Sequence, residues 1–366
     1  MSARQRIVCI VGTRPEAIKL APVILGLRAE PWCDLRLVAT AQHRGMLDQV
    51  LGLFGLEPDH DLNLMQDNQS LADLTARALS GLNAVLAELT PDAVVAQGDT
   101  TTVLAAALAC FYRRLPFCHV EAGLRTGDLS QPFPEEFNRV ATSLVTRLHF
   151  APTEGARDHL LREGVAAERI QVTGNTVIDA LHWMAARQPA LTLALEPRQR
   201  LILMTVHRRE NFGEPLAEIC CAARRLVDDN PELALVLPVH PNPTVTATVR
   251  RLMGGHPRLH LVAPLGYDQL VAALQRCLLV LTDSGGLQEE APALGKPVLV
   301  MRSVTERPEA VTAGVARLVG TAAETIRCEA QRLLDDPQHY AAMARGVSPY
   351  GDGQAARRIV GLLRDL

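Results

Sequence analysis

Basic runs and long apolar runs are both absent from this chain of 366 residues. No run of like charge exceeds three residues, and the formal net charge is -3 at pH 7. A protein whose main partner is nucleic acid carries a basic stripe, so we exclude that class of partner. The longest apolar stretch, residues 103–111, is far shorter than the ~20 residues of a membrane span, so we expect no membrane partner either.

A secretion signal and a disulfide framework are not indicated. The N-terminus has basic residues followed by only six apolar ones, whereas a signal peptide needs an apolar core of roughly 7–15 residues. The eight cysteines form no C-x-x-C pair, and Cys9, Cys110, Cys118 and Cys277 lie inside apolar runs. Free buried thiols of this kind are typical of a reducing compartment, so we expect a cytoplasmic protein.

Cofactor motifs are missing as well. The chain contains no G-x-G-x-x-G and no G-x-x-x-x-G-K-[ST], which removes the usual evidence for NAD or ATP. It has no H-E-x-x-H and no clustered Cys and His, and we interpret "DHD" at 59–61 as a turn rather than a metal motif. The sequence therefore predicts no metal and no cofactor.

Short continuous apolar runs alternate with helical patterns along the whole chain. Such strands, separated by helices, indicate parallel sheets that are covered on both faces. The predicted fold class is α/β, with two Rossmann-like doubly wound domains facing a central cleft. We expect domains at 1–185 and 198–350, and a C-terminal helix in 351–366 that packs back on the first domain. The predicted strands are 6–11, 35–40, 92–97, 116–120, 147–152, 169–174, 201–206, 233–239, 259–264, 277–282, 297–302 and 316–320.

Polar segments follow the predicted strands, at the sheet edge where open α/β folds bind ligands. The segment "GTRPEAIK" follows the first strand, and Gly12 there allows a tight turn into a helix. Arg14 and Lys19 add positive charge near the helix N-terminus, which itself attracts anions. A well-capped helix with a solvated Arg and Lys is the alternative interpretation.

The segment "LTDSGGLQEEAPALGKPV" at 281–298 has a serine and two glycines where a helix begins. The backbone N–H groups of Ser284, Gly285 and Gly286 suit a diphosphate. Glu290 lies one turn further along, where a carboxylate could accept hydrogen bonds from ribose hydroxyls. The combination predicts a nucleoside diphosphate site, and a glycine turn followed by ordinary helix acids is the alternative.

Three carboxylates follow the third and fourth strands of the first half. Asp99, Glu121 and Glu135 would repel one another in one cleft and raise each other's pKa, which suits general acid–base chemistry. The alternatives are a capping role for Asp99 and an ion pair between Glu135 and Arg139.

Two further residues of the second half are candidates. His207, in "TVHRREN", could donate to a phosphate or to a leaving oxygen, or it could be a structural histidine. Arg307, in "VTERPE", could clamp a phosphate, or it could form an ion pair with Glu306 or Glu309.

Seven motifs occur in order along the chain: "GTRPEAIKLAPVI", "QGDTTT", "HVEAGLRTGD", "PEEFNR", "TGNTVIDAL", "HRREN" and "DSGGLQEEAPALGKPVLVMRSVTERPE". With these motifs the chain closely resembles the non-hydrolysing UDP-N-acetylglucosamine 2-epimerases of bacteria. The resemblance implies the glycosyltransferase-B architecture, a homodimer, and interconversion of UDP-GlcNAc and UDP-ManNAc. It also implies a route without NAD or metal, in which UDP is eliminated to give 2-acetamidoglucal and then adds back.

The resemblance assigns roles to individual residues. Asp99, Glu121 and Glu135 match the acids implicated in proton transfer, and His207 matches the essential histidine. Leu270 stands where an aromatic residue often flanks the uracil, which predicts weaker stacking on the base. The implied UDP-binding set is Arg14, Lys19, Ser284, Gly285, Gly286, Glu290 and Arg307.

Some bacterial members of this family bind a second UDP-GlcNAc as an allosteric activator. Gly45 and Asn68 stand where those members have other residues, so we expect weak activation by substrate. The residues that match the activator site are Gln42, His43, Glu136, Arg208 and His240.

Other functions remain open from the sequence. A glycosyltransferase of the same architecture would release UDP only with an acceptor, and a hydrolysing epimerase would release free ManNAc. A 2-epimerase could act on a modified UDP-GlcNAc derivative, such as a diacetamido uronate. A catalytically silent sensor of sugar nucleotides is the alternative outside enzymes.

Overall fold

The computed structural model describes residues 4–41, 44–66, 69–193, 195–196 and 198–366. The chain forms two compact units, of which the first comprises Met1–Trp183 together with Tyr350–Leu366 and the second comprises Met184–Pro349. The C-terminal segment thus belongs to the first unit. No helix within the described ranges is both long and apolar enough to cross a membrane.

The described part of the first unit contains a parallel sheet of seven strands in the order β3-β2-β1-β4-β5-β6-β7. Its strands are β1 (Gln5–Val11), β2 (Cys33–Ala39), β3 (His60–Asp61), β4 (Ala93–Gln97), β5 (Phe117–Val120), β6 (Leu148–Ala151) and β7 (Ile170–Val172). Its helices are α1 (Arg14–Ala29), α2 (Arg44–Leu53), α3 (Leu71–Leu89), α4 (Thr101–Arg113), α5 (Glu135–Val145), α6 (Glu154–Arg162), α7 (Thr176–Ala185) and, after the second unit, α15 (Ala355–Arg364).

Apolar side chains of the central strands form the core of the first unit. Val8 and Ile10 of β1 and Val94 of β4 pack with the buried faces of α3 and α4. α15 packs against α1 of the same unit. Helices between successive strands allow parallel pairing and cover both faces of the sheet, which is why these strands are apolar without polar alternation.

The described part of the second unit contains a parallel sheet of six strands in the order β10-β9-β8-β11-β12-β13. Its strands are β8 (Arg200–Thr205), β9 (Leu233–Pro238), β10 (Leu259–Val262), β11 (Cys277–Thr282), β12 (Val298–Val300) and β13 (Ala316–Leu318). Its helices are α8 (Glu214–Asp229), α9 (Pro243–Met253), α10 (Tyr267–Arg276), α11 (Gly285–Ala293), α12 (Pro308–Thr312), α13 (Ala323–Asp335) and α14 (Pro337–Met343).

The Rossmann-like fold class predicted for both halves is confirmed, and each of the twelve predicted strands is present. One interpretation was wrong: residues 60–61 of the "DHD" segment form the edge strand β3 instead of a turn. Asp59 accepts a hydrogen bond from the Leu37 backbone N–H at 2.7 Å, which holds this segment against β2. A strand of two residues has too little apolar pattern to be recognised in a sequence.

Each sheet reverses its strand order at one point, which in open α/β sheets is where ligands bind. In the first unit the reversal lies between β1 and β4, whose ends lead to Gly12 and Asp99. In the second unit it lies between β8 and β11, whose ends lead to His207 and Asp283. The topology therefore places Gly12 and Asp99 at the reversal point of the first sheet, and His207 and Ser284 at that of the second.

Candidate active site

The turn after β1 is held by a buried carboxylate, that of Glu16 in the first turn of α1. Its Oε2 accepts hydrogen bonds from the backbone N–H groups of Gly12 and Thr13, at 2.5 and 3.0 Å, and its Oε1 accepts one from the Thr100 hydroxyl. Burial raises the pKa of Glu16 to about 7, although these three hydrogen bonds oppose the rise. Glu16 thus connects the turn after β1 with the turn after β4.

Glycine is required at position 12 because a side chain would collide with two threonine hydroxyls. A Cβ at this position would lie 2.2 Å from Thr102 Oγ1 and 2.5 Å from Thr40 Oγ1.

Arg14, predicted to hold an anion, is the first residue of α1 and is half-buried.

Lys19 and Glu121 form a buried ion pair. The Lys19 ammonium lies 2.6 Å from Glu121 Oε1 and 2.8 Å from Oε2. The Gln97 side chain donates to Oε2, and Asn175 Nδ2 donates to Oε1 at 3.0 Å. Glu121 has φ of +65°, a left-handed conformation that is costly for a residue with a side chain. Three donors from three segments therefore hold one carboxylate in a strained position.

The charges of Glu121 and Glu135, the other two predicted acids, affect the pKa of Asp99. Arg139 Nη2 donates to Asp99 Oδ2 at 2.6 Å, and Asn138 Nδ2 donates to its backbone carbonyl at 2.8 Å. Burial is the main cause that raises the pKa of Asp99; Arg139 opposes it, and the charges of Glu121 and Glu135 add to it. The arrangement therefore favours the protonated form of this carboxyl more than an isolated aspartate would.

Glu135 and Glu136 begin α5 and have different surroundings. Glu135 is half-buried. Glu136 is buried, and its Oε1 accepts from the backbone N–H groups of Thr126 and Gly127, each at 3.0 Å. Arg139 lies 3.3 Å from its second oxygen. Glu136, a candidate for the activator site, thus fixes the loop that precedes α5.

Asp283 organises the turn after β8 in the second unit. It is fully buried and accepts from the backbone N–H of His207, the backbone N–H of Arg208 and the Asn211 side chain, at 2.9–3.1 Å. His207 Nδ1 lies 3.1 Å from Asp283 Oδ1. Burial would raise the pKa of Asp283, but the hydrogen bonds and charge of His207 outweigh it and the pKa is lowered. The contact with Asp283 orients the imidazole through Nδ1 and leaves Nε2 available for a further hydrogen bond.

Ser284, Gly285 and Gly286 form the N-terminal end of α11. Ser284 is the N-cap, and its backbone N–H donates to Thr282 Oγ1 at 2.9 Å. A Cβ at Gly285 would lie 3.2 Å from Glu306 Oε1, so the close packing of that loop favours glycine. The helix has nine residues, and helix N-termini carry a partial positive charge on their N–H groups.

The two carboxylates of α11 are buried and engaged. Glu289 forms an ion pair with Arg307 Nε. Glu290 lies against the hydroxyl of Tyr267, whose pKa is raised well above its usual value by burial first and by Glu290 second. Both carboxylates of this helix therefore have partners within the second unit.

Arg208 and Arg302 pair with acidic side chains of the same unit. Arg302 Nε lies 2.7 Å from Glu210 Oε1, and its Nη1 lies 2.5 Å from Glu306 Oε2, whereas Arg208 Nη2 contacts Glu306 Oε1. Burial opposes the effect, but the charges of Arg208 and Arg302 lower the pKa of Glu306 to about 2. Arg208, a candidate for the activator site, thus helps to fix the loop before α12.

The remaining candidates are placed as follows. Leu270 is half-buried on α10, three residues after Tyr267. The His240 ring stacks on the His207 ring with centroids 6.5 Å apart, and its Nδ1 accepts from the Asn242 backbone N–H at 3.2 Å. Gln42, His43 and Asn68 lie outside the described residues.

The described ranges contain no group of three or more His, Cys, Asp or Glu side chains that could hold a metal ion.

Sequence reasoning missed four polar residues that hold the two turns or the Glu121 carboxylate. Glu16, Gln97, Asn175 and Asp283 are all buried. Each of these residues follows or ends a strand, or lies at the start of a helix, within one of the motifs quoted above. That position is the feature by which the sequence could have identified them.

The chain matches known proteins over most of its length. The family model described as UDP-N-acetylglucosamine 2-epimerase matches residues 26–364. The UDP-N-acetylglucosamine 2-epimerase of Escherichia coli K12 is 50% identical over 370 residues, which cover 98% of each chain. These matches extend across both units.

Solved structures agree with the sequence match. The UDP-GlcNAc 2-epimerase of Neisseria meningitidis, solved with UDP-GlcNAc bound, has 43% identity and a TM-score of 0.91 over 99% of this chain and 100% of its own. The enzyme of Methanocaldococcus jannaschii, in complex with UDP-GlcNAc and UDP, has 31% identity and a TM-score of 0.80 over 99% and 100% of the two chains. The chain belongs to the UDP-N-acetylglucosamine 2-epimerase family, whose members are isomerases.

Proposed function

We propose that the protein interconverts UDP-GlcNAc and UDP-ManNAc by inverting carbon 2 of the sugar. The proposed route eliminates UDP to give 2-acetamidoglucal and then adds UDP back. The observation that carries the proposal is the group of Asp99, Glu121 and Glu135, in which burial is the main cause that raises the pKa of Asp99 and the charges of the other two acids add to the rise. The N-terminus of α11 supports the second requirement, a site that retains a departing diphosphate.

Two half-reactions balance the atoms. In the first, a base removes the proton from carbon 2, a double bond forms between carbons 1 and 2, and the bond from carbon 1 to UDP oxygen breaks. In the second, that bond forms again and carbon 2 receives a proton on the opposite face. Because the electron pair leaves with UDP and returns with it, neither an oxidant nor a reductant is consumed.

The charge states of the acids suit this exchange. Lys19, Gln97 and Asn175 all donate to Glu121, which favours the ionised form of that carboxylate. Burial raises the pKa of Asp99, and the charges of Glu121 and Glu135 add to the rise while Arg139 opposes it. An epimerisation with two acid–base groups needs one proton acceptor and one proton donor in the resting enzyme. Glu135 is the third proposed acid–base residue.

In the second unit, we assign the diphosphate to the α11 N-terminus and Arg307. His207 is proposed to donate from Nε2 to the leaving oxygen, and buried Asp283 to orient its ring through Nδ1. Glu290 is proposed to accept from ribose hydroxyls, and Leu270 to lie beside the uracil. Arg14 is proposed to add positive charge for the departing UDP.

We propose a cytoplasmic homodimer whose partners are UDP-GlcNAc, UDP-ManNAc and UDP. Phe111 and Tyr112 of α4 and Phe137 and Leu144 of α5 are exposed, and α4 packs against α5. Apolar side chains of this kind favour a protein contact. Light scattering of the wild type and of Leu144→Glu tests it: a dimer that Leu144→Glu dissociates is expected, and a wild-type monomer contradicts it.

The test of function is incubation of the purified protein with UDP-GlcNAc, followed by NMR of the products. We expect UDP-ManNAc to accumulate until both epimers are in equilibrium, with no acceptor added. Release of UDP only with an acceptor would indicate a glycosyltransferase, and free ManNAc with UDP would indicate hydrolysis. Turnover of a diacetamido uronate derivative alone would indicate a different sugar substrate.

A further inference from the structure

Asn175 contacts a proposed acid–base residue and the chain that returns from the second unit. It is buried, with 3% of its surface exposed, and its Nδ2 donates to Glu121 Oε1 at 3.0 Å. Its backbone N–H donates to the carbonyl of Tyr350 at 2.6 Å. Its Oδ1 accepts from the Val177 backbone N–H at 3.1 Å, at the beginning of α7. One residue thus joins Glu121, α7 and Tyr350.

The segments that lead into both connections between the two units contact this residue. The chain leaves the first unit after Trp183, within α7, and re-enters it at Tyr350. Asn175 immediately precedes α7 and is bonded to Tyr350, so it contacts the outgoing and the returning segment.

Two glycines bring the backbones of these segments together. A Cβ at Gly174 would lie 3.2 Å from Gly351 Cα, and one at Gly351 would lie 3.3 Å from the Asn175 nitrogen. Gly174 has φ of +88° and Gly351 has φ of +145°, conformations that side chains rarely adopt. Neither segment can shift here without moving the Asn175 backbone.

We propose that Asn175 is a positioning residue that links the Glu121 carboxylate to both segments connecting the two units. A change in the path of either segment shifts the Asn175 amide and alters the donors that hold Glu121. The orientation of Glu121 is therefore coupled to the conformation of the two connections. This inference rests on the proposed acid–base function of Glu121.

The first test replaces the amide by Asn175→Ser, because serine can still cap α7 but does not reach Glu121. We expect kcat for deuterium exchange at carbon 2 to fall about tenfold or more, since hydrogen bonds to charged groups are among the stronger ones. The affinity for UDP should stay within about twofold, and the acidic limb of the pH–rate profile should move to higher pH. An unchanged kcat and pH profile would overturn the proposal.

The second test is a double-mutant cycle with Gly351→Ala, whose new Cβ presses on the Asn175 backbone. Because Gly351 is proposed to act through Asn175, the double variant should be no slower than Asn175→Ser alone, and effects that multiply would contradict the coupling. Gly164→Ala is the matched control: it has φ of +84° and no atom within 4 Å of a new Cβ, so it adds strain without touching either connection. It should retain wild-type kcat; an equal loss there would attribute the Gly351 effect to strain.

The outcomes separate this inference from the proposed function. A wild-type protein that incorporates no deuterium contradicts the proposed function. A wild type that exchanges normally, with an Asn175→Ser variant that exchanges equally well, contradicts only the role of Asn175. If Asn175→Ser does not fold, Gly351→Ala alone decides: a reduced kcat with unchanged UDP affinity supports the coupling, and a wild-type kcat opposes it.

Discussion

The Lys19 ammonium lies 2.6 Å from one oxygen of Glu121 and 2.8 Å from the other. Lys19 comes from α1 and Glu121 follows β5, so 102 residues separate them in the sequence. The pair connects the group proposed to attract UDP with a group proposed to exchange the proton. Removing the charge of Lys19 or of Glu121 therefore changes the electrostatic environment of the other residue.

Replacing Lys19 by Met removes the cation from a carboxylate whose side chain is only 5% exposed. We expect kcat to fall about a hundredfold or more, because Glu121 loses its strongest donor, and the acidic limb of the pH–rate profile to move to higher pH. Steady-state kinetics and UDP titration measure both effects. If Lys19 served UDP binding alone, the affinity for UDP would fall while kcat and the pH profile stayed unchanged.

Glu16→Gln tests the raised pKa at the turn after β1. The pKa of buried Glu16 is raised from 4.5 to about 7, so its contribution to stability is present below pH 4.5 and is lost as pH rises through 7. Relative to the glutamine variant, the wild type should lose about 3 kcal/mol of unfolding free energy between those pH values. Denaturant unfolding of both proteins at several pH values measures this difference. A constant difference across the range would show that burial does not control this carboxyl.

His119→Gln should have the opposite dependence on pH. Burial is the main cause that lowers the pKa of His119 from 6.5 to about 4, so its contribution to stability is present above pH 6.5 and is lost as pH falls through 4. The wild type should lose about 3 kcal/mol over that interval relative to the variant. Glutamine can still donate to the Gly98 carbonyl, which His119 Nε2 contacts at 2.7 Å. Equal acid sensitivity of the two proteins would contradict the assignment.

Arg307→Ala should destabilise the second unit as well as weaken nucleotide binding. Glu289 is 1% exposed, and removing its partner leaves a buried charge, at a cost of about 3–5 kcal/mol. The double variant Arg307→Ala/Glu289→Gln should recover part of that loss, because no charge is then left buried. Calorimetry and UDP titration of the two variants separate the effects. An Arg307→Ala protein of wild-type stability would assign Arg307 to the phosphate alone.

The strands and the polar segments after them could be predicted because continuous apolar runs mark parallel strands and ligands bind at their carboxyl ends. The ion-pair partners of individual side chains could not be predicted in the same way. The sequence suggested Glu306 or Glu309 for Arg307, but the fold brings Glu289 to it. It suggested Glu135 for Arg139, whereas Arg139 reaches Asp99. Such pairs depend on how helices pack on the sheet, which local patterns do not encode.

Glu16 and Asp283 show a second limit of prediction from the sequence. In the sequence, Glu16 resembles an ordinary acid in the first turn of a helix, and Asp283 resembles the end of a strand. Their importance comes from burial and from backbone N–H groups that converge on them, from adjacent turns as well as their own. Tertiary structure alone supplies the donors of Asp283, whereas the backbone donors of Glu16 belong to the capping box of its own helix.

The most direct test of the proposed chemistry is the fate of the hydrogen on carbon 2. The wild-type protein is incubated with UDP-GlcNAc in deuterated water, and both sugar nucleotides are analysed by NMR and mass spectrometry. Elimination and re-addition predict one deuterium at carbon 2 of UDP-ManNAc and, at equilibrium, of UDP-GlcNAc. Recovery of unlabelled UDP-GlcNAc without any manno epimer would contradict the account.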